Sequence, residues 1–475
     1  MSLDNLRHAQ YTGDGTQIDD PQSVKQSIVG SSSDQVAFQA LVSGGARIRT
    51  TPVRVATFGD STANTNATFV DQALWTASGA SVSPEKYLLQ SAYSQAYLVA
   101  NGGISGQTTS QMLARDSAAV GATRKAIQDV LDLRPDVVLL RGGSINNIGG
   151  VNPTAQVATC FAEHCQIINR FLSAGVIVID SGIYGANAGS SISDISGSRV
   201  ALMQLESLFD GYAAQFPGKV FRPSWTGTLR DQTGAFLPNI VSADGTGVHL
   251  SMYGQWLASQ AEATIIASVF GQSSSTRYQG INVLKNAATA ASGGNSLMAQ
   301  TGFSGIGWTP TGFSWGTNYG AGRQNGKVEI IDGKVWATME FVPDAANRYL
   351  NLYMPLDAAN WVTAAGDVWG VEFETMLMGM NGVAPGPLAS IAQFGFTSGS
   401  AVAYNSLFSS YPTQFPASGW RGRAVFQPLT TPGANTAPEL FWQVTASDTT
   451  PFKMGVSNPR LVKLGTTSNW PPVAA

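Results

Sequence analysis

The stretch VRVATFGDST, residues 53–62, joins a short apolar run to the start of a polar loop. The run from Val53 to Phe58 is rich in β-branched and aromatic residues, and Gly59 ends it. This pattern predicts a buried strand. The tripeptide Gly59-Asp60-Ser61 thus stands at the carboxyl end of a predicted strand, the edge where an α/β sheet collects its functional groups.

Strands and helices alternate from this stretch to about residue 270. Further strands are predicted at residues 97–100, 137–140, 176–179 and 219–221. Helical spacing of apolar residues is found at 108–133, 154–174, 199–216 and 251–270. The alternation predicts an α/β domain over residues 51–272, with a parallel sheet covered by helices on both faces.

The chain outside residues 51–272 has two other compositions. Residues 1–50 are polar and Gly- and Ser-rich, which favours an N-terminal arm or attachment segment. Residues 280–475 hold many short stretches of alternating apolar and polar residues between Gly, Pro, Asn and Asp. That pattern predicts an all-β sandwich, which we expect to be jelly-roll-like and which could bind carbohydrate.

Four polar segments lie where functional groups of such a sheet collect, three after strands and one before the last helix. They are Gly59-Asp60-Ser61-Thr62, Asn101 to Thr109, Gly142 to Asn147, and Asp244 to Ser251. In this order they resemble the four sequence blocks of the SGNH/GDSL hydrolases, over residues 53–270. The resemblance implies a three-layer, flavodoxin-like α/β/α domain and serine-based ester hydrolysis without a cofactor.

Ser61 and His249 are the candidate nucleophile and base. A serine hydroxyl attacks an ester well only when a base takes its proton. The chain has three histidines, and of these His8 lies in the polar arm and His164 in the middle of a predicted helix. His249 alone stands in a loop just before a helix, within one of the four segments.

Two parts of the site depart from the family pattern. The family's acid lies three residues before the histidine, where this chain has Thr246, so Asp244 is the candidate acid, two residues further away. The resemblance implies an oxyanion hole from Ser61, Gly106 and an asparagine. Asn146 is preferred over Asn147, but either register is open. A Ser–His dyad, another acid or an inactive enzyme are the alternatives.

Charge, apolar runs and cysteine spacing argue against nucleic-acid binding, a membrane span and a zinc site. The net charge is −3 with no Lys/Arg cluster, so nucleic acid is not an expected partner. No run of about 18 apolar residues predicts a membrane span, and the N-terminus lacks a signal-peptide pattern. Cys160 and Cys165, with His164 between them, make a poor zinc set, so no metal is expected. We interpret Cys160 and Cys165 as two small core residues on either side of an exposed His164.

Aromatic and charged residues elsewhere have less specific interpretations. Trp225, Arg230, Asp231 and Trp256 could line the cleft, although packing is as good an explanation for the two tryptophans. The tryptophans of the C-terminal half fit a β core better than a sugar-stacking platform.

The favoured function is removal of O-acetyl groups from a polysaccharide. A second domain that holds a polymer keeps its esters near the serine. The layout resembles tail-spike or tail-fibre deacetylases of bacteriophages, so we expect an extracellular or virion-associated protein. The alternatives are a lipase- or thioesterase-type SGNH esterase and a non-catalytic glycan-binding adhesin. Homo-oligomer formation is left open.

Overall fold

The structure of the protein is a computed structural model. It describes residues 53–63, 96–116, 126–271, 295–296, 303–309, 314–317, 322–354, 364, 366–398, 401–425, 429–430 and 439–466. The predicted arm at 1–50 lies outside the described residues, and so do both ends of the predicted β domain. The proposed domain boundaries therefore stay predictions.

The first half alternates strands and helices. Its strands are β1 (Val53–Gly59), β2 (Ala96–Gly103), β3 (Val137–Arg141), β4 (Ile177–Gly182) and β5 (Val220–Phe221). Its helices are α1 (Thr109–Leu113), α2 (Ile127–Asp132), α3 (Ser144–Ile148), α4 (Val157–Ser173), α5 (Ile195–Ala213) and α6 (Met252–Phe270), with a 3₁₀ turn at Pro153–Gln156. The prediction of one continuous helix over 108–133 is wrong, because α1 ends at Leu113 and α2 begins at Ile127.

The five strands form one parallel sheet in the order β2-β1-β3-β4-β5. This is the doubly wound order in which functional loops gather at the carboxyl ends of the strands. All five residues of β3 are buried, as expected of a central strand covered on both faces. The prediction of an α/β domain with a parallel sheet is confirmed.

Helices cover both faces of this sheet. On one face Ile168 and Phe171 of α4 share a hydrophobic cluster with Phe58 of β1. On the other face Ile266 of α6 packs in a cluster with Leu139 of β3. Because both faces of β1 and β3 are covered by helices, these strands hold the loops at their carboxyl ends in a defined position.

The second half contains strands without intervening helices in the described residues. They are β6 (Asn295–Ser296), β7 (Phe303–Thr309), β8 (Ser314–Thr317), β9 (Arg323–Ile331), β10 (Lys334–Phe341), β11 (Tyr349–Met354), β12 (Asp367–Gly379), β13 (Leu388–Ser398), β14 (Ala401–Thr413), β15 (Trp420–Val425), β16 (Leu429–Thr430), β17 (Glu439–Ala446) and β18 (Phe452–Thr466). The prediction that this half is built of β-strands is confirmed.

These strands form two mainly antiparallel sheets. Seven strands of the larger sheet run in the order β15-β12-β18-β10-β9-β7-β6, with β16 paired to β12. The smaller sheet has the order β14-β13-β17-β11-β8. Phe373 of the larger sheet and Trp442 of the smaller one meet edge to face, with ring centroids 4.6 Å apart. Both belong to one shared hydrophobic cluster. The jelly-roll topology stays a prediction.

Helix α6 contacts both halves. Its first residue, Met252, belongs to the hydrophobic cluster of the β half, while Ile266 near its other end belongs to the α/β cluster. Among the described helices, none combines the length and apolarity that crossing a membrane requires.

Candidate active site

The Ser61 hydroxyl and the His249 ring lie within hydrogen-bond distance. Ser61 follows the carboxyl end of β1, and His249 stands three residues before α6. The distance from Ser61 Oγ to His249 Nε2 is 2.9 Å. The two residues are 188 positions apart in sequence, so only the fold brings them together.

Asp244 lies on the other side of the same ring. Its Oδ2 is 2.5 Å from His249 Nδ1. A carboxylate in this position accepts a hydrogen bond from Nδ1–H and leaves Nε2 free to accept one from the serine hydroxyl. The side chain of Asp244 is 11% exposed and that of His249 31%, so the pair lies at the rim of the structure rather than in its core.

The two additional residues between acid and histidine are accommodated by a turn. Gly245 and Gly247 have φ angles of +76° and +78°, which residues with side chains rarely adopt. Residues 245–249 form successive bends, and the carboxylate of Asp244 reaches the ring in spite of the longer spacing.

Hydrogen bonds favour the ionised form of Asp244. Partial burial alone would raise its pKa. The hydroxyl and amide of Thr246 and the His249 ring outweigh burial, and they hold the pKa of Asp244 below its usual value. The group beside the imidazole is therefore a carboxylate at neutral pH.

Asp60 connects the segment after β1 with the segment after β3. Its Oδ2 accepts from the Gly143 amide at 2.6 Å and from Asn146 Nδ2 at 2.8 Å. Its Oδ1 accepts from the amide and the hydroxyl of Thr62. Burial raises the pKa of Asp60, and the backbone hydrogen bonds oppose that rise. Asp60 thus fixes the loop that carries Ser61 against the start of helix α3, which carries Asn146.

The two asparagines after β3 face different neighbours. Asn146 Nδ2 donates to Asp60 and also to the Gln107 carbonyl at 2.9 Å. Asn147 Oδ1 instead accepts from the Thr109 amide at 3.0 Å. Asn146 therefore contacts the residue next to Ser61, whereas Asn147 joins the third segment to the start of α1.

Gly106 lies in the exposed loop after β2. The start of this loop is fixed to the Ser61 loop, because the Ile104 amide donates to the Gly59 carbonyl at 3.0 Å. Arg115 also joins the ends of β1 and β2. It donates to the Gly59 carbonyl at 3.2 Å and to the Gly102 carbonyl at 2.8 Å. No pattern in the sequence singles out Arg115, which is functional-looking only because it is buried beside these strand ends.

The interpretation of His164 as an exposed residue is wrong. Its side chain is 0% exposed, and its Nε2 is 2.9 Å from Asp180 Oδ1. Cys160 and Cys165 are buried free thiols. Within the part of the chain that the structure describes, no cluster of three or more His, Cys, Asp or Glu side chains is arranged to hold a metal ion.

Three of the suggested cleft residues are packing residues. Trp225 is fully buried, and its indole donates to the Ser181 carbonyl at 2.5 Å. Arg230 is buried and donates to Glu206 at 2.6 Å. Trp256 packs edge to face on Trp420 of the β half. Asp231 is in an exposed turn.

Comparisons with known proteins gave matches among solved structures only. No family model matches the chain, and no curated protein matches it significantly. The chain is similar to a GDSL-like lipase from Bacteroides thetaiotaomicron, with 16% identity over 50% of this chain and 97% of that one, at a TM-score of 0.32.

Two further similar structures are esterases by name. One is a catalytic mutant of an acetylxylan esterase from Geobacillus stearothermophilus, with 17% identity over 48% of this chain and 100% of that one, at a TM-score of 0.34. The other is a carbohydrate acetylesterase from Sinorhizobium meliloti, with 16% identity over 46% and 100% of the two chains, at a TM-score of 0.30.

At these identities and scores, the assignment of the site rests on the geometry of this chain. The strand order, the chain of contacts through Ser61, His249 and Asp244, and the position of Asn146 beside Asp60 are its three elements. Together they give the α/β half of this chain the parallel sheet order and the Ser–His–Asp contacts that its four sequence blocks predict.

Proposed function

We propose that the chain is a serine esterase with Ser61 as nucleophile, His249 as base and Asp244 as acid. One observation carries the proposal. The hydrogen-bond chain from Ser61 Oγ through the imidazole to the Asp244 carboxylate is continuous, with lengths of 2.9 and 2.5 Å. A nucleophile, a base and a third group that orients the base are the combination that nucleophilic acyl transfer requires.

The first half-reaction forms an acyl-enzyme. Ser61 Oγ attacks the ester carbonyl while its proton moves to His249 Nε2. The carbonyl oxygen becomes an oxyanion, and the imidazolium is stabilised by the Asp244 carboxylate. When the tetrahedral intermediate collapses, the C–O bond to the alcohol breaks, and His249 returns the proton to the departing oxygen.

The second half-reaction releases the acid. Water attacks the acyl carbon and gives a proton to His249, and that proton then returns to Ser61 Oγ. The products are the free alcohol and the carboxylic acid, and no cofactor takes part. The ring must be neutral at the start of each half-reaction, so the rate is expected to fall on the acid side of the pH profile.

The oxyanion hole is proposed to consist of the Ser61 and Gly106 amides and the Asn146 side chain. Asn146 Nδ2 donates hydrogen bonds to Asp60 and to the Gln107 carbonyl. We propose that the ester oxygen replaces the Gln107 carbonyl as the second acceptor, while the bond to Asp60 keeps the amide in place. Each such donor contributes about 2.7–4 kcal/mol to transition-state binding.

The proposed substrate is an acetylated polysaccharide. The β half packs on the first turn of α6, close after His249, so a polymer bound there would keep its esters near Ser61. The weakly charged, Gly-rich composition suits an extracellular or virion-borne protein, and such a place in a phage tail spike belongs to the same proposal. A lipase-type esterase and a non-catalytic glycan-binding protein are the alternatives.

The test compares the wild type with Ser61→Ala on p-nitrophenyl acetate. We expect wild-type turnover and a loss of about 10⁴-fold or more in kcat on removal of the nucleophile. Ser268→Ala is the matched control, because this exposed hydroxyl bonds only within its own helix, to the Ile265 carbonyl. It should retain the wild-type rate.

Substrate preference separates the alternatives. A deacetylase should prefer p-nitrophenyl acetate to longer acyl esters and release acetate from acetylated xylan. Preference for long acyl chains would favour the lipase-type alternative. If neither the wild type nor Ser61→Ala turns over any ester, while both bind the acetylated glycan equally, the chain is not an esterase.

A further inference from the structure

The carboxylate of Asp244 is held by a residue that stands where the acid of ordinary spacing would be. Thr246 donates to Asp244 Oδ1 twice, from its amide at 2.9 Å and from its hydroxyl at 2.7 Å. The other oxygen, Oδ2, is left to face His249 Nδ1. Because one oxygen is fixed by two donors, the carboxylate has one orientation toward the ring.

A neighbouring segment holds the loop that contains Asp244. We call residues 187–193 the brace and residues 244–249 the acid loop. Brace amides donate to three successive acid-loop carbonyls: Ser190 to Gly245 at 2.8 Å, Ser191 to Thr246 at 3.3 Å and Asn187 to Gly247 at 2.9 Å. The additional residues of the acid loop are therefore paired with the brace rather than free.

The brace is itself fixed at both ends. At its start, the Asn187 side chain accepts from Arg199 Nη2 at 3.1 Å and from the Phe236 amide at 3.2 Å. At its end, the Ser193 amide donates to the Gly149 carbonyl at 2.7 Å. Gly149 directly follows helix α3, which carries Asn146. The brace thus joins the acid loop to the helix of the proposed oxyanion asparagine.

Close backbone approach makes Gly189 the critical position of the brace. A Cβ at residue 189 would lie 2.3 Å from the Thr246 carbonyl oxygen and 2.6 Å from the Gly247 nitrogen. Both atoms are backbone, so they can give way only if the acid loop moves. An added methyl group would push the acid loop away from the brace.

We propose that the brace and Thr246 are positioning elements that compensate for the longer spacing between acid and base. They hold Asp244 within hydrogen-bond distance of His249 Nδ1. Thr246 Oγ1 also lies 3.3 Å from His249 Nδ1, but neither element touches Ser61 Oγ or His249 Nε2, between which the proton moves. This inference rests on the proposed esterase function. It predicts that Gly189 acts on catalysis only through the acid loop and Asp244, and that Thr246 acts through Asp244 and through its own contact with the Nδ1 side of the His249 ring.

The first test is Gly189→Ala, with Gly150→Ala as the matched control. A Cβ at Gly150 meets no atom within 4 Å, although this glycine is next to the brace contact at Gly149. We expect kcat on p-nitrophenyl acetate to fall about 10²-fold for Gly189→Ala, because a misplaced catalytic group costs about this factor. KM should stay within about twofold, and Gly150→Ala should match the wild type.

A double-mutant cycle distinguishes positioning from general damage. In an Asp244→Asn background, Gly189→Ala should lower the residual kcat by less than about twofold, because the group that it misplaces is already disabled. If the 10²-fold loss persists in that background, the brace does not act through Asp244. Equal kcat for Gly189→Ala and Gly150→Ala would also overturn the proposal.

Thr246 offers a second test that does not disturb the backbone. Thr246→Val keeps the shape of the side chain and removes the hydroxyl, and Thr246→Ser retains it. We expect kcat to fall for the valine variant and to be restored in the serine variant. The proton NMR signal of His249 Nδ1–H should move upfield in Thr246→Val and in Gly189→Ala, but not in Thr246→Ser or Gly150→Ala.

The two proposals fail in different ways. If the wild type hydrolyses no ester, the proposed function fails, whereas the Nδ1–H signal still reports whether the brace holds Asp244 against the ring. If Ser61→Ala abolishes activity but Gly189→Ala and Thr246→Val leave kcat and the Nδ1–H signal unchanged, the esterase stands and the brace proposal is wrong.

Discussion

Asn146 and Asn147 are chemically identical side chains whose roles are separated by their neighbours. Asn146 uses its amide nitrogen, which donates to Asp60 beside the nucleophile. Asn147 uses its carbonyl oxygen, which accepts from the amide of Thr109. An oxyanion requires a donor, and the donor end of Asn146 is the one directed to the Ser61 loop. We therefore expect only Asn146 to stabilise the transition state directly.

Alanine at each position tests this difference. Asn146→Ala should lower kcat on p-nitrophenyl acetate by about 10²–10³-fold, the usual effect of removing one oxyanion donor. Asn147→Ala should lower kcat by less than about tenfold, with a lower midpoint of thermal unfolding from the lost contact to α1. A larger kcat effect for Asn147→Ala would reverse the assignment of the two residues.

The sequence predicts those site residues that lie in short, recognisable motifs. It does not predict those whose importance comes from contacts with residues far away in the chain. Ser61 and His249 stand out because each lies in a short motif at the end of an element. The hydrogen bonds from Thr246 to Asp244 could not be predicted, because a threonine in this position of the sequence carries no chemical signal of its own. Gly189 was missed for a related reason: its importance is a contact with residue 246, which no local pattern encodes.

Buried charges join four elements next to the site. Asp180 of β4 accepts from His164 of α4 and pairs with Arg222, which follows β5. Arg222 also pairs with Glu206 of α5 at 2.8 Å. Burial alone would raise the pKa of Asp180, but Arg222 and His164 outweigh it and hold this pKa well below its usual value. The network therefore stabilises the fold when Asp180 is ionised.

The stability of the α/β half should consequently depend on pH through Asp180. A carboxyl whose pKa is lowered by folding contributes stability that is complete above its unfolded pKa, about 3.9, and is lost as the pH falls further. Asp180→Asn leaves Arg222 partly unpaired and should cost about 3–5 kcal/mol at pH 7. That difference from the wild type should shrink by about 1 kcal/mol between pH 5 and pH 3.

Chemical denaturation at the two pH values measures this difference. Asp132→Asn is the control, because Asp132 is an exposed carboxylate at the end of α2. It should change the free energy of unfolding little at either pH. A difference between wild type and Asp180→Asn that is the same at pH 5 and pH 3 would show that Asp180 does not titrate as the network requires.

The elements were predictable from the sequence where apolar runs are continuous, as in β3 and β4, whose buried residues follow one another. A single helix was predicted over 108–133 because the helical spacing of apolar residues continues through the segment between α1 and α2. Burial of His164 was missed because a helical pattern places a residue on a face but does not reveal its partner. That partner, Asp180, is supplied by a strand end.

At the scale of the whole molecule, the two halves meet at the helix that follows His249. Tyr253 packs edge to face on Phe415, with ring centroids 5.9 Å apart, and Trp256 packs on Trp420 at 5.5 Å. The Trp256 ring also covers Gly422, where a Cβ would lie 2.7 Å from it. These contacts lie in the first turns of α6, the helix that begins three residues after His249.

Trp256→Ala tests whether this interface couples the two halves. Replacing a packed tryptophan by alanine costs about 3–5 kcal/mol when the site cannot collapse. We expect the wild type to unfold in one calorimetric transition and Trp256→Ala to unfold in two. Trp336→Ala is the matched control, since Trp336 is buried within the β half, where its indole donates to the Ile331 carbonyl. It should lower the midpoint without splitting the transition. If the calorimetric traces of wild type and Trp256→Ala are superimposable, the coupling between the two halves does not depend on the Trp256 contact.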